Sequence, residues 1–325
     1  MLKDRGRRLA GLRKRTFVMA AMALMIVPVT ALASASPAAA EPMGIFKIFK
    51  ECPTEVPGVT LCSVDNTTSG EVKLGNTGVP ITKTITQQGG LIPTGNPENE
   101  REFFAYPAKN GESLSKVALN VPGGLLDFIK CESITGSGLI EIALRELCKF
   151  TFEHGSTEVT ATTELAATEK NPVILNEEAL NSEEGTALTL PIKVHLKNSL
   201  LGNSCYIGSE AEPIELHLTT GATTPAKGVT PLHGKKGTPS TEREKGLLVA
   251  HIKENTQVDN TFSAPKAYGC GEVTILGIKF TGGLDFLVEG KLGIPNKNTK
   301  GEDFAIFNGE LAVATAEHVI ESESF

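Results

Sequence analysis

The chain has 325 residues, 21% of them charged, a formal net charge of −7 and no tryptophan. This length supports one large domain or two smaller ones. The acidic balance argues against a protein that holds nucleic acid or anionic membrane surfaces by charge.

Residues 1–40 read as a secretory signal peptide. Seven basic residues lie between Lys3 and Arg15, an apolar run extends from Phe17 to Ala33, and Ala38-Ala39-Ala40 precedes Glu41. These are the n-region, h-region and cleavage site of an export signal. Ala33-Ser34-Ala35 offers a second cleavage point, and an uncleaved anchor is the structural alternative. No later segment is long and apolar enough to cross a membrane as a helix, so no helical span is expected after cleavage. Removing seven of the 31 basic and one of the 38 acidic residues leaves 24 and 37, a net charge of −13 over 41–325.

The expected exported domain, 41–325, opens with a proline-punctuated loop between Cys52 and Cys62. Val79–Thr86, Ser115–Val121, Thr157–Leu165 and Ala187–Lys197 have the Val, Ile and Thr content of strands. Leu188, Leu190, Ile192, Val194 and Leu196 alternate with other residues, which predicts one buried face. Ile140, Ala143, Leu144 and Leu147 recur at helical spacing, predicting a helix over Leu139–Glu153 that stops at Gly155. Ile214–Thr220, Val273–Phe280 and Glu310–Ala316 read as later strands, and Leu284–Leu292 as a second helix ended by Gly293. Thr219–Gly246 reads as a long Thr/Pro/Gly loop, and Asn308-Gly309 as a hairpin turn.

All six cysteines, Cys52, Cys62, Cys131, Cys148, Cys205 and Cys270, follow the signal. In an exported chain an even number reads as a disulfide framework. Fifteen pairings are open, and pairing in sequence order is the expectation, because the first two pairs close short local loops. No Cys-x-x-Cys pair and no Cys–His cluster has zinc-ligand spacing.

The sequence carries few motifs with the spacing that catalysis or metal binding needs. His195 and His217 occupy the same place in two Pro-Ile-x-x-His-Leu phrases, so on neighbouring strands the imidazoles could meet over a metal. No third ligand is evident, and two histidines on a wet sheet face is the expected arrangement. Ser113-Leu-Ser-Lys116 matches the Ser-x-x-Lys element of penicillin-binding enzymes but lacks its partner motifs. Three tyrosines and no tryptophan leave few rings for sugar platforms. Phe325 ends the chain as in outer-membrane barrels, without their lipid-facing alternation before it.

Leu201-Gly-Asn-Ser-Cys-Tyr-Ile-Gly-Ser209, Leu218-Thr-Thr-Gly221, Phe262-Ser-Ala-Pro-Lys266 and Gly269-Cys-Gly271 resemble a group of exported actinobacterial proteins. The resemblance implies export, favours a Cys205–Cys270 bridge, and implies no particular activity or functional residue.

The sequence therefore predicts a mainly β fold, an antiparallel sandwich-like domain with one or two short helices, stapled by disulfides. No catalytic, cofactor-binding or metal site is expected. The expected role is an exported, non-enzymatic structural or interaction protein of the cell envelope or extracellular space, with a protein or envelope component as partner. A secreted hydrolase with a dispersed site and a membrane-embedded β-barrel are the other readings.

Overall fold

A computed structural model describes residues 40–125, 129–154 and 157–325. The signal reading, apart from Ala40, lies outside the described residues, as does Gly155, the expected helix stop.

Sixteen strands follow in chain order among the described residues. They are β1 (Leu61–Leu74), β2 (Thr77–Ile81), β3 (Ile85–Pro93), β4 (Glu102–Pro107), β5 (Ala118–Asn120), β6 (Thr160–Leu165), β7 (Ile174–Asn176) and β8 (Leu188–Asn198). Then come β9 (Gly202–Ile207), β10 (Ile214–Leu218), β11 (Thr238–Glu244), β12 (Leu247–Asp259), β13 (Ala267–Tyr268), β14 (Val273–Ile275), β15 (Ile278–Phe280) and β16 (Phe304–Thr315). The fold is mainly β, and every named pairing is antiparallel.

One sheet runs β11-β12-β16-β1-β3-β4-β7-β8-β6-β5, with β2 added to β1, β9 and β10 to β8, and β13 to β9. It curls back on itself. Thr219, just past β10, exchanges both backbone bonds with Val258 of β12 at 2.9 Å. The two layers of the sandwich are thus opposite walls of a single sheet.

β8 organises this arrangement because its alternation is nearly perfect. Leu188, Leu190, Ile192, Val194 and Leu196 are buried, whereas Thr189, Lys193 and His195 are half-buried and Lys197 is exposed. Period-two geometry puts the first set inside and the second outside. The same holds in β10, where Ile214, Leu216 and Leu218 are buried and Glu215 and His217 exposed. On these strands the apolar faces look inward and the polar faces outward, the reverse of a lipid-embedded barrel.

β1 changes faces midway. A bulge between Thr67 and Ser69 inserts one residue against β16. Before it, Cys62 and Val64 pack outward against a secondary core with Phe46, Phe49 and Val319, while Asp65 and Thr67 face inward. After it, Val72 and Leu74 take the inner face.

Asn308-Gly309 is not a hairpin turn but the middle of β16, where β1 and β12 both bulge against it. A Cβ at Gly309 would lie 2.0 Å from the Asn66 carbonyl oxygen, so close backbone approach selects the glycine. Val79–Thr86 is two strands, β2 and β3, separated at residues 82–84. Val273–Phe280 is a hairpin, β14–β15, turning at Leu276-Gly277, both at positive φ. The Thr219–Gly246 loop contains β11, an edge strand whose side chains are nearly all exposed and therefore show no hydrophobic alternation.

The helices at Leu139–His154 and Asp285–Leu292 match expectation, the second ending on Gly293 in the left-handed region. Two others, Glu177–Ser182 and Ala316–Ser322, begin at Asn176 and Thr315, whose side chains cap Ala179 N–H and His318 N–H. Asn-Glu-Glu and Thr-Ala-Glu are N-cap signals. The helices behind them are too short to show a periodicity that would make those signals stand out.

The cysteines pair in sequence order: Cys52–Cys62, Cys131–Cys148 and Cys205–Cys270, with Cα atoms 5.6, 5.7 and 4.1 Å apart.

Candidate functional site: an apolar cavity

The inward faces of β1, β2, β3 and β16 and those of β5, β6, β8 and β9 do not close completely on one another. Between them lies a narrow cavity of about 70 Å³ that opens to solvent. Five lining residues are polar: Asp65, Thr67, Thr77, Gln87 and Thr163; the others are apolar. Leu114, Leu119 and Val194 sit deep in the fold yet keep 5–7% of their surface, as expected of side chains that border a space instead of one another.

Among the described residues Asp65 is the only ionisable one in this lining. The β1–β3 register sets it directly opposite Gln87, and Thr67 opposite Ile85, so these four residues share the inner face. Asp65 lies deep in the molecule but is not fully covered, because it borders the cavity. Its Oδ2 accepts a 3.1 Å bond from Gln257 Nε2. Burial pushes its carboxyl up to about 6, with the Gln257 bond opposing weakly. Gln257 is itself 4% exposed, and its Oε1 has no partner among the described residues.

The two histidines singled out by their shared phrase do not meet. His217 is in register with Thr189 of β8, six residues from His195, or roughly 20 Å along a strand. His195 instead stacks on Tyr206, with ring centroids 4.4 Å apart, and Tyr206 stacks on Tyr268 at 5.6 Å. Its Nδ1 lies 3.4 Å from Glu164 Oε1, and its buried Nε2 has no partner among the described residues. The rings spend their faces on each other, so two of the three tyrosines form a cross-strand ladder and not a flat platform. The imidazole–carboxylate pair lacks a thiol to activate, since all six cysteines are bridged.

Ser113 and Ser115 have structural partners. Ser113 Oγ accepts from Ala108 N–H and Ser115 Oγ from Thr86 N–H, while Lys116 is exposed. Among the described residues no group of three or more His, Cys, Asp and Glu side chains could hold a metal ion, and no helix is long and apolar enough to cross a membrane.

The cavity is not legible in the sequence because its lining is spread over eight strands, none of which contributes more than four residues. Asp65 is hidden in Asp-Asn-Thr-Thr-Ser-Gly, a run with the composition of a turn. The chain matches no protein-family model, no curated protein and no solved structure.

Proposed function

We propose that this chain is an exported, non-enzymatic protein that binds an apolar small molecule between the walls of its curled sheet. The observation that carries this reading is the cavity: apolar on nearly all sides, with a few polar groups confined to it. Ligand sites are typically concave, mostly apolar and equipped with a small number of orienting polar groups. Three disulfides accord with work outside the cell, as does the resemblance to exported actinobacterial proteins. The bound molecule is the partner in this reading, and the envelope or its surroundings the place of exchange.

The test is titration with a neutral fluorescent probe, N-phenyl-1-naphthylamine, whose emission rises in apolar surroundings. Saturable binding is expected in the unmodified protein. Leu190→Trp and Val194→Phe, which place bulk into the cavity from β8, should weaken it at least tenfold in variants that unfold cooperatively. Binding that is absent, or indifferent to both substitutions, would rule out the cavity as the site.

A further inference from the structure

Asp65, on the cavity wall, has an unbalanced set of hydrogen-bonding partners. Asp65 Oδ2 is occupied by Gln257 Nε2, while Oδ1 accepts no bond from the protein among the described residues. The amide of Gln257 has to present its nitrogen to Asp65, because an ionised carboxylate only accepts. That orientation leaves Gln257 Oε1 buried without a donor. Of these two acceptors, Asp65 Oδ1 belongs to a residue of the cavity lining and has accepting capacity that the protein leaves unused. Among the described residues no Lys, Arg or His lines the cavity to supply either a proton donor or a countercharge.

Resting on the cavity-binding reading above, we infer that the site selects amphiphiles whose polar end donates hydrogen bonds, an alkyl ammonium ahead of an alcohol, and rejects those ending in a carboxylate. An ammonium group brings three donors and a positive charge to Asp65. A hydroxyl brings one donor and no charge. A carboxylate brings acceptors only, and sets a second negative charge against Asp65 inside an apolar enclosure where charge is poorly screened. Burial has already raised the Asp65 carboxyl, and among the described residues no neighbouring cation offsets its charge. A cationic ligand would supply that offset.

Competition at pH 8 reads this selection directly. The protein, purified from its host, is loaded with N-phenyl-1-naphthylamine. Dodecylamine, dodecanol and dodecanoate then displace the probe at concentrations below those at which they aggregate. The expected order is amine, alcohol, carboxylate, with the amine at least tenfold tighter than dodecanoate. Asp65→Asn should bring the amine-to-carboxylate ratio close to one, with dodecanol as the internal reference in the same variant. The acidic surface is otherwise unchanged in that variant, so a ratio that persists assigns the preference to surface charge and overturns the inference. An equal or reversed order in the unmodified protein overturns it without recourse to any variant. Binding of all three chains without preference defeats the head-group selection and leaves the cavity reading standing. Failure of the probe itself to bind defeats both.

Discussion

Asp65 on β1 and Gln257 on β12 are joined over the inner face of the intervening strand β16, Gln257 Nε2 donating to Asp65 Oδ2 at 3.1 Å. This bond ties the two neighbours of β16 together where both of them bulge. It also leaves a carboxylate in surroundings that disfavour its charge. The raised pKa is the thermodynamic record of that conflict.

Asp65 should make stability fall as pH rises. Its folded-state value of about 6 lies above the unfolded value of 3.8. Its contribution is therefore fully present below about pH 4 and is lost as pH passes through 6. A difference of about two pH units corresponds to roughly 3 kcal/mol. Asp65→Asn keeps an acceptor for Gln257 and never ionises. Urea unfolding should show the variant and the parent alike at pH 4, and the variant more stable by about 2–3 kcal/mol at pH 8. A gap that stays constant between these pH values would mean that ionisation of Asp65 is not its source.

How far the sequence reveals this structure depends on which force shapes each strand. β8 and β10 are legible because burial of one face writes alternation directly into their side chains. The local disulfides are legible because short loops close easily. β1 and β12, of 14 and 13 residues, escape a pattern search for one physical reason. Each carries a bulge, so its buried residues change phase partway along. Polar residues such as Asp65 and Gln257 also occupy inner positions where such a search expects apolar ones. The histidine phrase reports the face correctly, since both residues point outward. It does not report the register, which depends on pairings the local sequence does not encode.

Glycine substitutions separate close backbone approach from mere permissiveness. At Gly309 a Cβ would meet the Asn66 carbonyl oxygen at 2.0 Å and Thr67 Cα at 3.0 Å, and backbone cannot move aside as a side chain can. Gly309→Ala should cost about 3 kcal/mol, the upper end for overpacking. Gly290, within the helix Asp285–Leu292, has nothing within 4 Å of its would-be Cβ. Gly290→Ala should instead stabilise by about 0.5–1 kcal/mol, through helix propensity. Denaturant midpoints of the two variants should move in opposite directions. A Gly309→Ala midpoint that does not fall would show that the close approach is relieved by movement of the neighbouring backbone.

The three bridges should differ in what their removal costs. Cys52–Cys62 spans 10 residues, Cys131–Cys148 spans 17 and Cys205–Cys270 spans 65. Chain-entropy reasoning gives about 2.7, 3.1 and 4.3 kcal/mol respectively. Paired Cys→Ala variants, unfolded in urea one bridge at a time, should follow that order. The Cys205–Cys270 variant should be the least stable, since it also frees β9 from the segment after β13 in the main core. An inverted order would indicate that local packing outweighs loop length.

Asn298 should be the most sensitive polar residue outside the cavity. Only 3% exposed, it holds three buried bonds. Its Nδ2 donates to the carbonyls of Asn260 and Asp303 at 2.9 and 2.8 Å, and its Oδ1 accepts from Asp303 N–H at 2.9 Å. The Asp303 carboxylate in turn accepts from Gly75 N–H and from Asn296. Through these bonds one side chain links the entry to β16 with the end of β12 and the turn after β1. The residue also sits at φ 51, a conformation that asparagine tolerates better than alanine. Asn298→Ala would therefore strand three buried backbone groups and add backbone strain. The expected loss is about 3–5 kcal/mol. Asn298→Asp separates the two causes, because it keeps the acceptor for Asp303 N–H and loses only the donors. With its new carboxylate facing the carbonyl oxygens of Asn260 and Asp303, this variant should regain stability as pH falls and the introduced group takes up a proton, whereas Asn298→Ala should show no such recovery. Parallel pH profiles for the two would mean that backbone conformation, and not hydrogen bonding, is what Asn298 supplies.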